Sequence, residues 1–242
     1  MSHLDDKETR NKLLTRAVSS WLAYKHLTGL AGLLNEASLS VPIAEFLTHR
    51  TTYNIVGQEN HPNFPGKGVG RKRQLDFVAK TAKRWAFVIE TKALPLERQG
   101  FIDDLLRLAL LNKPGVHRYF LVAGELTSAD WKYLKSKRNK AKGKINGALR
   151  VPFRLLINVP QSRRKDLVSL LLRRDYREKT VDLKKIGKYT KKYISKFQRR
   201  YNRDKLPGQY ITKLISWNRK NRFIAVIWEV KINPGRASVS FI

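Results

Sequence analysis

Residues 74–80 (QLDFVAK) and 84–92 (RWAFVIETK) are two apolar stretches of strand length set only three residues apart. That spacing predicts a β-hairpin. Alternation in the second stretch puts Trp85, Phe87 and Ile89 on one face, and Ala86, Val88, Glu90 and Lys92 on the other. Apolar residues on both faces predict a sheet covered on both sides. A helical segment at 97–112, stopped by Asn112-Lys113-Pro114-Gly115, leads to a further strand at 117–123. This β–α–β order predicts a parallel strand pair joined by a crossover helix.

The flanks extend an α/β pattern. Leu13, Leu14, Ala17, Val18, Trp21 and Leu22, then Leu30, Leu33 and Leu34, follow a helical period across 9–34, with Gly29 and Gly32 able to bend or break it. A second helical stretch begins at Asn35 and runs past Ile43, Phe46 and Leu47, with Pro42 disturbing it. Residues 52–58 read as a strand and 61–73 as a loop rich in Pro, Gly and Lys. Downstream, a helix at 127–138, a strand at 151–159 and a helix at 163–174 are expected, then a basic helix at 183–203. A hairpin of 210–217 and 223–232, turning at 218–221, ends the pattern. The composition shift near 175–182 suggests a core over residues 1–175 and a nucleic-acid-binding appendage over 176–242.

Charge narrows the partner. Fifty Lys and Arg stand against nineteen Asp and Glu, a formal net charge of +31. Residues 132–222 carry 30 of those cations and only 5 acids. Such an excess exceeds what solubility needs and points to a polyanion. The absence of cysteine excludes disulfides, Cys-ligated zinc, Fe–S clusters and a thiol nucleophile. The five histidines, at 3, 26, 49, 61 and 117, show no metal-ligand spacing. No apolar run has the length of a membrane span, and the first eight residues lack a signal peptide's apolar segment, so a cytoplasmic protein without a membrane partner is expected.

Chemistry concentrates at the end of the second hairpin strand. Glu90 and Lys92 point to the same side, and a turn near 81–83 brings Asp76 of the partner strand to the same end. Two neighbouring carboxylates repel unless a cation lies between them, and hard oxygen ligands favour Mg²⁺. A lysine beside that ion can position a water or neutralise charge developing on a phosphate. A solvated Glu–Lys pair on a surface hairpin is the simpler alternative. Against it, the ExK sequence ends an apolar strand, where a carboxylate is seldom placed without a partner.

Leu75-Asp76-Phe77, then Ile89-Glu90-Thr91-Lys92, within an α–β–β–β–α–β order, resembles the PD-(D/E)xK nuclease superfamily over roughly residues 30–125. The residue before Asp76 is Leu where the family name has Pro. The resemblance implies a restriction-endonuclease-like α/β fold, a mixed central sheet flanked by helices, here with basic helical and β-hairpin additions at the C-terminus. It implies Mg²⁺, with Mn²⁺ able to substitute, held by Asp76 and Glu90 with the Thr91 carbonyl, and Lys92 orienting the attacking water. Many members add a glutamate from the preceding helix; Glu36 is the candidate, with Glu45 and Glu59 as competitors. Gln99 and Arg107, on the helix after the motif, would reach DNA or the metal shell as helix residues do in some members.

Phosphate contacts are expected elsewhere from the basic residues. Lys67, Arg71, Lys72 and Arg73 lie in the loop before the hairpin; the Gly66–Lys72 stretch lacks the spacing of a nucleotide-binding loop. Lys135, Lys137, Arg138, Lys140, Lys142 and Lys144 form a dense run, although such runs are commonly just solvated. Lys188, Lys191, Lys192, Arg199 and Arg200 belong to the basic helix. There Tyr189, Tyr193, Phe197 and Tyr201 recur every four residues as a packing stripe, with base stacking the lesser reading. Adjacent Asp103 and Asp104 face different ways on a helix and make a poor metal pair. The sum is a Mg²⁺-dependent endonuclease on duplex DNA, in restriction, defence or mobile-element processing. The resemblance is compatible with a homodimer or a partner protein, and no sequence feature decides it. The alternatives are a non-catalytic nucleic-acid binder and a nuclease for RNA.

Overall fold

The computed structural model describes residues 6–30, 35–64, 74–94, 98–125, 178–183, 188–203, 205–232 and 238. The elements expected at 127–138, 151–159 and 163–174 lie outside these residues, as do Lys67, Arg71, Lys72, Arg73 and the run from Lys135 to Lys144.

Helix α1 (Lys7–Leu27) starts where the Asp6 carboxylate accepts the Thr9 N–H at 2.7 Å, an N-cap contact. Its buried stripe includes Leu14, Val18 and Leu22, four residues apart. The helix stops well before residue 34 because Gly29 takes φ +77°, a left-handed position that glycine adopts without a Cβ penalty. Helix α2 (Glu36–Arg50) opens with a reciprocal cap in which Asn35 and Ser38 exchange hydrogen bonds of 2.9 and 3.0 Å. It continues through Pro42 as one helix. Pro42 lies on the same buried face as Leu39, Ile43 and Leu47, and that packing offsets the one backbone bond that proline cannot make.

The strands are β1 (Asn54–Asn60), β2 (Gln74–Lys80), β3 (Trp85–Ala93), β4 (His117–Glu125), β5 (Glu178–Asp182), β6 (Gln209–Lys220) and β7 (Phe223–Ile232). Helix α3 (Arg98–Leu110) connects β3 to β4, and α4 (Lys188–Tyr201) lies between β5 and β6. One sheet orders them β1-β2-β3-β4-β7-β6-β5. The β3–β4 pair is parallel, as the crossover through α3 requires. The other neighbours are antiparallel. The architecture is therefore mixed α/β, a mostly antiparallel sheet flanked by helices.

Two apolar cores result. Phe77, Phe87, Ile89, Leu121 and Ile227 pack under α1 and α2. Val78, Val88, Phe120, Val122, Val226 and Trp228 pack under α3 and α4. Trp85 joins the second core and Ala86 packs against the first, the reverse of the alternation expected. A register shift between Ala79 and Lys80 is the cause: it offsets the start of β3 by one residue, and one residue of slip turns a side chain to the opposite face. In α4, Phe197 is fully buried, with Tyr193 and Tyr201 packed beside the same core. These aromatics therefore form a packing stripe.

The division into a 1–175 core and a 176–242 appendage does not hold for the described residues. Strand β7 hydrogen-bonds directly to β4 from Tyr119↔Glu229 to Glu125↔Phe223, and α1 packs against both β6 and β7. The hairpin itself turns at Asn221-Arg222, not over 218–221, with Asn221 at φ +53°. Asn218, Arg219 and Lys220 are still paired, to Ala225, Ile224 and Phe223. Backbone pairing needs no apolar side chain, so the polar sequence there does not mark the turn.

Candidate functional site

The β2–β3 ladder runs from Lys80↔Trp85 to Phe77↔Ile89 and goes no further. Past that point, the Asp76 carboxylate takes over from the backbone: its Oδ2 accepts the Thr91 N–H at 2.7 Å and the Thr91 Oγ1–H at 2.8 Å. Thr91 thus enters the site through its amide and hydroxyl, and these contacts fix the orientation of Asp76. Glu90, next in β3, is 0% exposed, and neither of its carboxylate oxygens accepts a hydrogen bond. Burial pushes its carboxyl well above the usual range, a push that the nearby Arg107 opposes.

Lys92 ends the series. Its Nζ donates to both carboxylate oxygens of Glu36, at 2.8 and 2.9 Å, and stands 2.8 Å from Asp104 Oδ2. Burial works against the charge on this ammonium, but Asp104 and Glu36 outweigh it and hold the lysine above its ordinary value. Lys92 is therefore a fixed cation. Glu36 comes from the first turn of α2 on the other side of the sheet. Its competitors are elsewhere: Glu59 pairs with Lys80 at 2.5 Å, and Glu45 is exposed, nine residues along α2 and so about half a turn round the helix from Glu36.

Helix α3 adds two charged residues to the site, Asp104 and Arg107. Asp104, set aside as half of a poor metal pair, is buried and bonded to both Lys92 and Arg107. Asp103 does turn the other way, to Arg200 of α4. Arg107 does not present itself to solvent. Its NH2 pairs with Asp104 and lies 3.2 Å from Glu90 Oε1, while NH1 donates to the Gln74 carbonyl at 3.3 Å. Burial disfavours its charge, but Glu90 and Asp104 hold the guanidinium protonated. The signal that could have found the pair is its i, i+3 spacing on the crossover helix, which must return over the face bearing Glu90 and Lys92. Gln99 lies in the first turn of α3, among residues whose side chains are not described.

The site therefore holds four carboxylates (Glu36, Asp76, Glu90, Asp104) against two cations (Lys92, Arg107). The formal excess is two negative charges around a fully buried glutamate. In kind, these hard oxygen donors and the unsatisfied Glu90 fit a divalent cation such as Mg²⁺. In arrangement, no three His, Asp or Glu among the described residues form a ready-made metal cage; Lys92 and Arg107 stand among the donors.

A buried histidine anchors the same helix. His61, 2% exposed, accepts the Asn63 N–H at Nδ1 (3.1 Å), so its Nε2–H donates to the Arg107 carbonyl at 3.0 Å. Burial depresses its pKa to about 4. The folded state then refuses a proton that the unfolded chain takes up below about 6.5. Stability contributed here is present above pH 6.5 and lost as pH falls toward 4, up to about 3 kcal/mol. In urea titrations at pH 7 and pH 4.5, His61→Gln should narrow the stability difference measured for the wild type. An unchanged difference would remove His61 as its source.

The basic surface is described in part. In α4, Lys192, Lys196 and Arg199 are exposed at i, i+4 and i+7, one stripe opposite buried Ile194 and Phe197. Lys196 was not among the expected contacts. Arg200 is exposed but engaged with Asp103, and Lys191 is half-buried. Lys188 opens α4, with its side chain outside the description. No helix among the described residues is long and apolar enough to cross a membrane. Comparison with known proteins yields no match to a family model, a curated protein or a solved structure.

Proposed function

We propose that the chain is a Mg²⁺-dependent nuclease that hydrolyses phosphodiester bonds in DNA, with a PD-(D/E)xK-type site on a restriction-endonuclease-like core. The observation that carries this reading is the meeting of Asp76, Glu90 and Lys92 where β2 and β3 part, with Glu90 buried and accepting no hydrogen bond. Segments α2, β1, β2, β3, α3 and β4 follow one another in the α–β–β–β–α–β order that the sequence resemblance implies.

Asp76 and Glu90, with Glu36 and the Thr91 carbonyl, would hold the ion. Bound there, Mg²⁺ supplies Lewis acidity toward a phosphoryl oxygen and a more acidic bound water. The protein's own contributions would rest on the bonds described above. Thr91 orients Asp76. Lys92, fixed by Glu36 and Asp104, offers a positive charge that orients a water and meets charge developing on the phosphate.

The α4 stripe supports a polyanionic substrate. Like charges three and four residues apart repel along a helix, and phosphates relieve that repulsion with release of counterions. Helix α4 packs on α3, the helix that carries Asp104 and Arg107, so the stripe belongs to the same side of the sheet as those two residues. Replacing Lys192, Lys196 and Arg199 together by Ala should make the dependence of log affinity on log salt shallower by about 2–3. Fluorescence anisotropy on a labelled duplex reads that slope, and an unchanged slope would remove the stripe from the interface.

The test of the activity is incubation of the purified chain with supercoiled plasmid and Mg²⁺, beside EDTA and Glu90→Gln controls. Nicking or linearisation lost in both controls is the expected result. Intact plasmid together with a gel shift that survives EDTA would overturn the nuclease in favour of a non-catalytic binder. Cleavage of RNA alone would keep the chemistry and change the substrate.

A further inference from the structure

The face that α3 turns to the sheet is built of Phe101, Leu105, Leu108 and Ala109, all buried. Asp104 and Arg107, one turn apart, are the charged residues set beside that apolar strip. Burying a guanidinium costs free energy unless every contact compensates, and Arg107 is only 12% exposed at its side chain. Its contacts converge on the acidic site: Asp104, Glu90 Oε1 and the carbonyl of Gln74 at the head of β2. The contact with Glu90 is an ion pair at 3.2 Å without a hydrogen bond, and it leaves both Glu90 oxygens unsatisfied. Arg107 balances the charge of Glu90 without saturating it.

We propose that Arg107 is a built-in counter-ion of the acidic site, one that holds Glu90 and Asp104 together without a divalent ion and weakens the hold on that ion by competing for Glu90. This rests on the reading of the cluster as a divalent-cation site. Asp104 is the fixed point of the device, because it holds Arg107 through Oδ1 and forms an ion pair with Lys92 at Oδ2. Arg107 is thus a positioning residue. Removing it takes one positive charge from beside the ligands, which should draw a divalent ion in more strongly and leave the ion-free site less stable.

The experiment compares the full chain with Arg107→Gln. Mg²⁺ binding is measured by calorimetry, and thermal unfolding is followed with and without saturating Mg²⁺. The variant should bind Mg²⁺ about tenfold tighter or more. It should melt lower than wild type without the ion, and gain more from adding it. Wild-type binding combined with equal or weaker binding by a folded Arg107→Gln overturns the counter-ion role and leaves the metal site standing. Absence of Mg²⁺ binding in both chains overturns the role and the metal site together. Should Arg107→Gln fail to fold, Arg107→Lys decides. It keeps the charge on a single-point donor that fits the two carboxylates less well, so its Mg²⁺ affinity should still exceed wild type. An affinity at or below wild type overturns the proposal.

Discussion

Asp76→Asn is expected to slow Mg²⁺-dependent plasmid cleavage about 10²–10³-fold while leaving the protein folded. The amide keeps an oxygen that can accept from the Thr91 amide and hydroxyl, now at 2.7 and 2.8 Å. The bonds that orient the side chain therefore survive, and the melting temperature should stay close to that of wild type. What is lost is one of the four carboxyl groups as an anionic oxygen donor, on a residue placed opposite Glu90 where the two strands part. Quantifying the loss of supercoiled plasmid over time at saturating Mg²⁺ checks this. A variant that cuts at the wild-type rate would remove Asp76 from the site.

Gly124→Ala carries the largest expected cost to stability. Gly124 lies in β4 at φ +152°, and a Cβ there would stand 2.7 Å from Leu94 Cβ and 2.9 Å from the Leu94 nitrogen. Two of those obstacles are hard to move. The Leu94 N–H is bonded to the Ala123 carbonyl at 2.9 Å, and Leu94 is itself buried in the core under α3. Backbone strain and overpacking each cost about 1–3 kcal/mol, so the variant should unfold roughly 5–15 °C lower. Circular dichroism melts of the two proteins check the shift. Because Leu94 follows Lys92 by two residues, cleavage should fall as well. An unaltered melting temperature would mean that β4 and the end of β3 do not approach as described.

Much of the central architecture was legible because it is local. The alternation of 74–80 and 84–92, the Pro-Gly stop after the crossover helix and the apolar run from 117 each act over fewer than ten residues. The parallel β3–β4 pair follows from them by topology alone. What was not legible depends on distant partners. The hairpin of β6 and β7 was foreseen as a hairpin, but nothing in its periodicity says that β7 lies against β4 and not beyond the sheet. The reversal at Trp85 needed a bulge that the alternation of side chains does not mark.

The candidate site divides the same way. Asp76, Glu90 and Lys92 were recognisable because strand geometry puts them at one end of one hairpin. Glu36 was one of three acids that sequence alone ranked only loosely, and its bond to Lys92 is what distinguishes it. Arg107 was recognisable from its place on the helix after the motif, whereas Asp104 was obscured by its neighbour. Asp103 and Asp104 do face different ways, Asp103 toward Arg200 of α4 and Asp104 toward Lys92 of β3. Helical geometry separates adjacent side chains by about 100°, so each carboxylate meets partners of its own.

The place of β7 has a consequence for how the molecule is made. Between β4 and β6, it is the strand on which the two halves of the sheet close, and α1, which leaves a ribosome well before it, packs against it and β6. During synthesis, the N-terminal helix must wait some two hundred residues for the surface it covers, while β4 presents an open edge. Contacts so distant in the chain make folding slow, and a nascent chain with an unpaired inner edge is exposed to aggregation. Ribosome-stalled chains ending before residue 223 should therefore be digested by protease within the segment that the finished protein protects as α1. Protection should appear only once β7 has emerged.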